Sequence, residues 1–247
     1  MALLDVRDVE VRFGGVHALQ GVDLDVPTGS VTGLIGPNGA GKTTLFNVVC
    51  GLQPPTRGGV EFDERDITKL RAFRRARLGI GRTFQRLEVF GSLSVRDNLR
   101  VAAEVRDGWG APDGPNPDEI AAEVLRRVRL ERVADARTDA LPTGILRIVE
   151  LGRALAARPR LLLLDEPSSG LADAESELLA DIMLEQADEG LAVLLVEHDV
   201  DLVMRVCSTI HVLDFGRIIA RGNPEEIRSD ERVKAAYLGT GETGHAA

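Results

Sequence analysis

Residues 36–44 read GPNGAGKTT, which matches the pattern G-x-x-x-x-G-K-[S/T]. The run VTGLIG before them predicts a strand, and the apolar spacing after them predicts a helix from Lys42 to about Cys50. In that context the backbone N–H groups of a glycine-rich turn form an anion-binding nest, to which the helix N-terminus adds its positive dipole end. The sequence therefore predicts a phosphate site, where Lys42 reaches the β- and γ-phosphates of a nucleotide and Thr43 offers a hydroxyl to Mg²⁺. The predicted nucleotide-binding residues of this loop are Gly36, Pro37, Asn38, Gly39, Ala40, Gly41, Lys42, Thr43 and Thr44.

The order of apolar segments around this loop predicts an α/β fold. Short β-like runs fill residues 3–35, and the buried strands RLLLLD and LAVLLVEHD alternate with helical stretches later in the chain. Continuous apolar strands that alternate with helices indicate a mainly parallel sheet covered on both faces. Helical periodicity dominates residues 86–158, so this segment is expected to be a helical subdomain inserted into a core made of 1–85 and 159–247. Together these parts form one domain, residues 1–247.

The composition indicates a protein with a large buried core and no disulfide framework. Of its 247 residues, 44% are hydrophobic and 28% are charged. The net charge of −9 disfavours nucleic-acid binding, because phosphate contacts need clustered lysine and arginine. Two lone cysteines favour a reducing compartment. The N-terminal run lacks the pattern of a secretion signal, and no apolar run approaches the roughly 20 residues that span a bilayer, so we expect a cytoplasmic location.

Three further strand ends carry residues suited to nucleotide hydrolysis. Asp165 ends LLLLDEP and is a candidate for holding Mg²⁺, while Glu166 is the candidate general base for an attacking water. His198 follows the strand LLVEHD, where it is either a structural histidine or a group near the γ-phosphate. Gln85 ends GIGRTFQ and is either a plain loop residue or a ligand of Mg²⁺ or water that senses the γ-phosphate.

With these pieces in this order, the chain resembles the ATP-binding subunit of ABC transporters from Leu3 to about Leu238. GPNGAGKTT, RTFQ, LLLLDEPSSGLAD and VEHD match the family's Walker A, Q-loop, Walker B with D-loop, and H-loop motifs. The resemblance implies a P-loop NTPase core, an N-terminal antiparallel β subdomain, the inserted helical subdomain, and ATP hydrolysis with ATP and Mg²⁺. It also implies that Phe13 stacks on adenine, although a core aromatic is the alternative.

The resemblance further implies two loops that act on a second subunit. The D-loop residues Ser169, Gly170, Leu171, Ala172 and Asp173 would cross to it. The signature motif, usually LSGGQ, corresponds to Leu141, Pro142, Thr143, Gly144 and Ile145 and would bind the γ-phosphate held by the opposite subunit. Gly144 is expected to leave room for a phosphate. Pro142 and Ile145 replace the family's serine and glutamine, so the site that this helix completes is expected to hydrolyse ATP slowly or not at all.

Several stretches resemble the branched-chain amino acid importers in particular, among them RFGGVHAL at residues 12–19 and GNPEEIRSDERVKAAYLG at residues 222–239. The resemblance implies a second ATPase subunit, identical or different, and permease subunits that dock near residues 86–100, with Phe90 in an apolar groove or an ordinary core. It also implies an indirect solute-binding partner and a position at the cytoplasmic face of the membrane. Two alternatives stay open: a degenerate or regulatory module that binds ATP without turnover, and an ATPase acting on ribosomes or DNA.

Overall fold

Two β-sheets and a set of helices make up the residues that this computed structural model describes, which are 2–83, 87–108 and 116–238. The strands are β1 (Ala2–Phe13), β2 (Val16–Pro27), β3 (Val31–Ile35), β4 (Arg57–Phe62), β5 (Arg65–Asp66), β6 (Ile80–Arg82), β7 (Leu161–Asp165), β8 (Ala192–Val196), β9 (Thr209–Asp214) and β10 (Arg217–Gly222). The helices are α1 (Lys42–Cys50), α2 (Ala72–Arg77), α3 (Val95–Asp107), α4 (Pro117–Arg127), α5 (Thr143–Ala156), α6 (Asp173–Asp188), α7 (Val200–Val206), α8 (Pro224–Ser229) and α9 (Glu231–Leu238).

The larger sheet has the strand order β10-β9-β3-β8-β7-β6. Its pairs are parallel except for the β9–β10 hairpin. Every residue of β3, β7 and β8 is buried, because helices cover one face and the smaller sheet with α1 covers the other. Along β7 the side chains alternate accordingly: Leu162 and Leu164 face the helical core, and Leu161 and Leu163 face the other core.

The smaller sheet is antiparallel, in the order β2-β1-β4-β5. It packs with α1 against the central sheet in one apolar cluster that includes Val6, Val22, Phe46 and Phe62. This arrangement places the loop between β3 and α1 at the edge where the parallel strands end. In open parallel sheets, ligands bind outside the carboxyl ends of the strands.

Helices α3, α4 and α5 fall within the segment 86–158 and pack on one another through Leu99, Val124 and Ile148. Each of α3 and α4 begins with a side-chain cap: Ser94 accepts a hydrogen bond from Asp97, and Asn116 accepts one from Asp118. By contrast, the N-cap residue of α5 is Pro142, which has no side-chain oxygen to cap the helix.

The predicted fold class, a P-loop NTPase with a mainly parallel core and an antiparallel N-terminal sheet, is confirmed. The helix predicted from Lys42 to Cys50 has those bounds. Strand β2 is longer than the predicted GVDLDV, because its first half pairs with β1 through the hairpin at Gly14 and Gly15. The helices α2, α8 and α9 were not predicted. The subdomain bounds of 86–158 stay a prediction.

Candidate active site

The loop at residues 36–44 owes its shape to three glycines with positive φ angles. The φ angles of Gly36, Gly39 and Gly41 are 150°, 80° and 114°. A Cβ at Gly36 would collide with the carbonyl oxygen of Leu213, and one at Gly41 would lie 2.7 Å from the carbonyl oxygen of Ala18. Nothing lies within 4 Å of a Cβ at Gly39, which leaves that part of the loop open. Two glycines therefore let the loop pack on its neighbours, and the third leaves space on its open side.

The Lys42 ammonium folds back into this loop. Its Nζ donates hydrogen bonds to the carbonyl oxygens of Gly36 at 2.6 Å and Pro37 at 3.0 Å. Burial lowers the pKa of Lys42, and the charges of Glu166 and Asp165 oppose that change. A buried cation whose hydrogen bonds go to neutral carbonyl groups is well prepared to bind an anion.

Two candidate catalytic residues, Glu166 and His198, and the candidate metal ligand Asp165 lie at adjoining strand ends. Asp165 is the last residue of β7 and is buried, and Glu166 follows it with a φ of 50°. Glu166 is held there by a hydrogen bond of 2.8 Å from its backbone N–H to the carbonyl of Val196. His198 Nε2 lies 2.8 Å from Glu166 Oε1. The structure thus brings Glu166 and His198 into contact next to Asp165 at the end of β7, whereas Gln85 lies outside the described residues.

Glu197 was missed by the sequence analysis and holds two of these loops. Its side chain is buried, at 3% exposure. Oε1 accepts a hydrogen bond of 2.7 Å from the backbone N–H of Ser168, and Oε2 accepts one of 3.0 Å from that of His198. Glu197 therefore joins the loop after Glu166 to the loop that carries His198. An acidic residue that ends a buried apolar strand was the signal that could have found it.

A cavity of about 440 Å³ is lined by the phosphate loop from Asn38 onwards and by the side chains of Glu166 and His198. Its described lining comprises Val16, His17, Ala18, Gln20, Asn38, Gly39, Ala40, Gly41, Lys42, Thr43, Thr44, Glu166, Val196, His198, Phe215 and Gly216. Phe13, the expected adenine contact, is half-exposed at the end of β1 and is not among these residues. Phe215 is instead the aromatic residue of this lining, at 81% exposure and with a φ of 41°.

The segment expected to be the signature motif starts α5, and Pro142 and Thr143 are exposed. The expected space beside Gly144 is occupied here. A Cβ at Gly144 would overlap the carboxylate of Glu175, which accepts a hydrogen bond of 3.0 Å from the N–H of Ala172. Ile145 packs on the helical core, in keeping with the apolar stripe that it shares with other α5 residues. The residues expected to form the D-loop are exposed, except for the half-buried Leu171.

The chemistry of the donors suits Mg²⁺. This ion is typically held by one or two protein oxygen ligands together with substrate phosphates. Thr43 lies on the exposed start of α1, and Asp165 ends β7 at the same edge of the sheet. Within residues 2–83, 87–108 and 116–238 there is no group of three or more histidine, cysteine or acidic side chains that could form an all-protein metal site. The residues present therefore fit a cation that shares its ligands with a nucleotide.

Comparison with known proteins decides the family. Residues 19–169 match the ABC transporter family model, and residues 217–243 match a second model, described as branched-chain amino acid ATP-binding cassette transporter. The chain belongs to the ABC transporter ATP-binding cassette family. This ABC ATPase couples ATP hydrolysis to transport.

Individual relatives of this ABC ATPase differ in their cargo. The lipopolysaccharide export system ATP-binding protein LptB of Escherichia coli is 38% identical over 239 residues, covering 97% of this chain and 98% of LptB. The high-affinity branched-chain amino acid transport ATP-binding protein BraF of Pseudomonas aeruginosa is 37% identical over 249 residues, covering 96% and 98%. The structure of MJ1267, an ATP-binding cassette of an ABC transporter in its ADP conformation, matches with a TM-score of 0.86 at 31% identity, covering 97% and 99%.

Proposed function

We propose that this chain is the ATP-hydrolysing subunit of an importer for branched-chain amino acids or related small solutes. The match of residues 217–243 to the branched-chain amino acid model carries the cargo class. BraF supports the same class, whereas LptB supports lipopolysaccharide export as the competing cargo.

The proposed hydrolysis starts with the triphosphate in the phosphate loop. The backbone N–H groups of the loop after Pro37 and the Lys42 ammonium bind the phosphates, which replace the carbonyl partners that Lys42 has here. Glu166 accepts a proton from a water whose oxygen attacks the γ-phosphorus. The bond from that phosphorus to the β–γ bridging oxygen breaks, and ADP and phosphate leave. His198, which touches Glu166, donates a hydrogen bond to the γ-phosphate.

Thr43 and Asp165 are the proposed ligands of Mg²⁺, and Gln85 is proposed as a further ligand from outside the described residues. When bound, this ion neutralises charge on the β- and γ-phosphates. Asp165 supplies a carboxylate at the end of a rigid buried strand, and Thr43 supplies a hydroxyl on α1. The protein contribution is therefore to hold two oxygen donors on separate elements at one edge of the sheet.

We propose that a second ATPase subunit, identical or different, completes each site. The exposed residues 169–173 and the start of α5 would contact that subunit. The helix N-terminus favours an incoming γ-phosphate, but Pro142 and Ile145 lack the hydroxyl and amide that would bond to it. The site that this α5 completes in its partner therefore hydrolyses ATP slowly or not at all, while the site on Lys42 and Glu166 turns over with a partner whose signature helix is intact.

Permease subunits are proposed to dock near residues 86–100 and to place the chain at the cytoplasmic face of the membrane. Phe90 is 46% exposed and lies under the Arg153 guanidinium, 4.6 Å from ring centroid to Cζ. The buried Asn98 fixes this segment through hydrogen bonds with both backbone groups of Phe90. No described helix is both long and apolar enough to cross a bilayer. A solute-binding protein would act through the permease.

The first test measures ATP turnover by the purified chain across a wide range of protein concentrations. Turnover per molecule that rises with concentration and vanishes in Glu166→Gln supports a working homodimer. Turnover that appears only after a second ATPase subunit is added supports an obligate heterodimer. For the cargo, the chain is reconstituted with its permease subunits in vesicles. ATP-driven leucine uptake supports the importer, and lipopolysaccharide-stimulated turnover without leucine uptake overturns it.

A module that binds ATP without turnover is the second candidate, favoured by the Glu175 carboxylate against Gly144. Such a module would bind ATP with the same affinity whether or not a second subunit is present. It would show no ATP turnover with any second subunit. Glu166→Gln separates the two candidates, since in an active enzyme it abolishes turnover and traps bound ATP, whereas in a binding module it changes neither.

A further inference from the structure

Arg82 is a buried arginine that joins two halves of the candidate site. It is the last residue of β6, and its Nη2 donates a hydrogen bond of 2.9 Å to Oδ2 of Asp165. Its Nη1 donates one of 2.7 Å to Oδ1 of Asn47 on α1. The side chains of Arg82 and Asp165 are 9% and 4% exposed. One guanidinium therefore spans from the phosphate-loop helix to the end of β7.

Two more residues of α1 interact with the same guanidinium. Its Cζ lies 5.5 Å from the centroid of the Phe46 ring, and its charge opposes the rise that burial causes in the pKa of the Cys50 thiol. Phe46, Asn47 and Cys50 are all on α1, the helix that carries Thr43 at its start. Because a planar guanidinium holds several partners in a fixed geometry, Arg82 constrains the distance between α1 and β7.

The Arg82–Asp165 ion pair is buried, and burying two charges costs free energy. A buried pair gains little stability compared with apolar side chains of the same volume, because both charges lose their hydration. Its clearest effect is orientation, because the bridge from Arg82 fixes Oδ2 of Asp165. A carboxylate that is held through one oxygen has a fixed orientation. Hydrogen-bonding partners commonly fix metal-binding carboxylates in this way.

We propose that Arg82 is the positioning residue of the Mg²⁺ site, fixing the Asp165 carboxylate and its separation from Thr43. The inference rests on the proposed role of Asp165 and Thr43 as oxygen ligands. Arg82 itself touches neither metal nor nucleotide in this assignment. It would act by holding Oδ2 of Asp165, which orients the carboxylate as a ligand, and by tying β7 to α1.

The test is calorimetric titration of ATP into the wild type and Arg82→Lys, once with excess MgCl₂ and once with EDTA. Lysine keeps the positive charge but cannot bridge Asn47 and Asp165 together. We expect the Kd for ATP in EDTA to be unchanged. With MgCl₂ we expect the Kd to rise about 10- to 100-fold relative to the wild type, as is typical when the hydrogen-bonding partner of a metal ligand is removed.

Arg75→Lys is the matched control, because Arg75 is also buried and also forms hydrogen bonds with α1. Its guanidinium donates to the carbonyl oxygens of Val48 and Val49 and makes no contact with Asp165. Arg75→Lys should lower the melting temperature without changing the ratio of the two Kd values. If Arg82→Lys behaves like Arg75→Lys, or weakens binding equally in EDTA and in MgCl₂, Arg82 is only structural and the inference is wrong.

Asn47→Ala keeps the test decisive if Arg82→Lys does not fold. It removes the neutral partner and leaves the Arg82–Asp165 pair intact, so a smaller rise in the Kd with MgCl₂ alone is expected, and no selective rise overturns the inference. Failure of the proposed metal site is separately visible. In that case the wild type binds ATP equally well in EDTA and in MgCl₂.

Discussion

His198 Nε2 and Glu166 Oε1 lie 2.8 Å apart, although the two residues are 32 positions apart in the chain. Glu166 is a non-glycine residue with a φ of 50°, a conformation that costs of order 1–2 kcal/mol. The neighbouring strands β7 and β8 enforce it, since the N–H of Glu166 bonds to the carbonyl of Val196. Backbone strain of this kind is tolerated where the surrounding structure fixes a side chain for chemistry.

His198→Ala tests the role of this contact. We expect kcat for ATP hydrolysis to fall about 100-fold, because a hydrogen-bond donor to the developing charge is lost. The Kd for ATP should change by less than about threefold, since Lys42 and the loop amides are untouched. Steady-state kinetics and calorimetry measure the two quantities. His17→Ala, at an exposed position in the same cavity, is the control. A kcat equal to that of the control would show that His198 has no part in hydrolysis.

Glu197→Gln should lower the free energy of unfolding by about 1–3 kcal/mol. Glutamine has one oxygen in place of two, so its NH₂ group would face the backbone N–H of Ser168 or of His198. Urea unfolding measures the loss. Glu177→Gln removes an exposed carboxylate from α6 and should change the free energy by less than about 0.5 kcal/mol. Equal stability of the two variants would contradict the bridging role of Glu197.

Much of the site was predictable because its pieces are local. The phosphate loop, the two acidic residues after β7 and His198 after β8 each follow an apolar run, and parallel strands bring their carboxyl ends to one edge. The α5 start was equally visible as an apolar stripe from Ile145 onwards. The residues of each motif, and the edge of the sheet at which they meet, were therefore predictable from the sequence.

The rest depended on contacts between distant segments. Glu197 and Arg82 act through partners 29 and 83 residues away, and the local sequence around each residue does not reveal those partners. Glu175 lies against Gly144 because the first turns of α5 and α6 meet, which periodicity within either helix does not reveal. Phe215 stood in a turn after an apolar strand and resembled an ordinary hairpin residue.

Gly144→Ala should destabilise the chain through Glu175. The added methyl group takes the place of the carboxylate, so Glu175 must leave its hydrogen bond to the N–H of Ala172. Loss of such a capping interaction costs about 0.5–2 kcal/mol. In a Glu175→Ala background the same glycine substitution should cost less, and a double-mutant cycle of unfolding free energies measures the coupling. Additive effects would show that the two residues do not interact in solution.

His211 should make stability fall in acid. Its imidazole is 1% exposed on β9, and burial lowers its pKa to about 4, helped by Arg221 and opposed by Asp25. The unfolded chain takes up this proton near pH 6.5 and the folded chain only near pH 4. The contribution of the neutral His211 to the free energy of unfolding is therefore fully present above pH 6.5. It is lost as the pH falls towards 4, and the loss amounts to at most about 3 kcal/mol.

His211→Leu removes this titration and keeps an apolar volume in the core. Urea unfolding of the variant and the wild type between pH 7 and pH 4 gives the difference in slope. The variant should lose less stability over that range, while His17→Leu, at an exposed position, should follow the wild type. Parallel curves for His211→Leu and the wild type would show that His211 titrates normally.

Phe215 should contribute to binding of the nucleoside and not of the phosphates. The ring is 81% exposed in the cavity that holds the phosphate loop, and its turn is fixed there by hydrogen bonds of 2.8 Å from Gln20 to the Phe215 carbonyl and from Gly216 to the Ala40 carbonyl. Stacking of a base on an aromatic ring is worth about 1–3 kcal/mol on alanine substitution. Phe215→Ala should therefore weaken ATP binding about 5- to 150-fold and leave the affinity for tripolyphosphate unchanged. Phe73→Ala, at a half-exposed ring on α2, should alter neither affinity. An equal loss of affinity for ATP and tripolyphosphate would mean that Phe215 supports the phosphate loop. An unchanged affinity for ATP would mean that the base contacts other residues, such as Phe13.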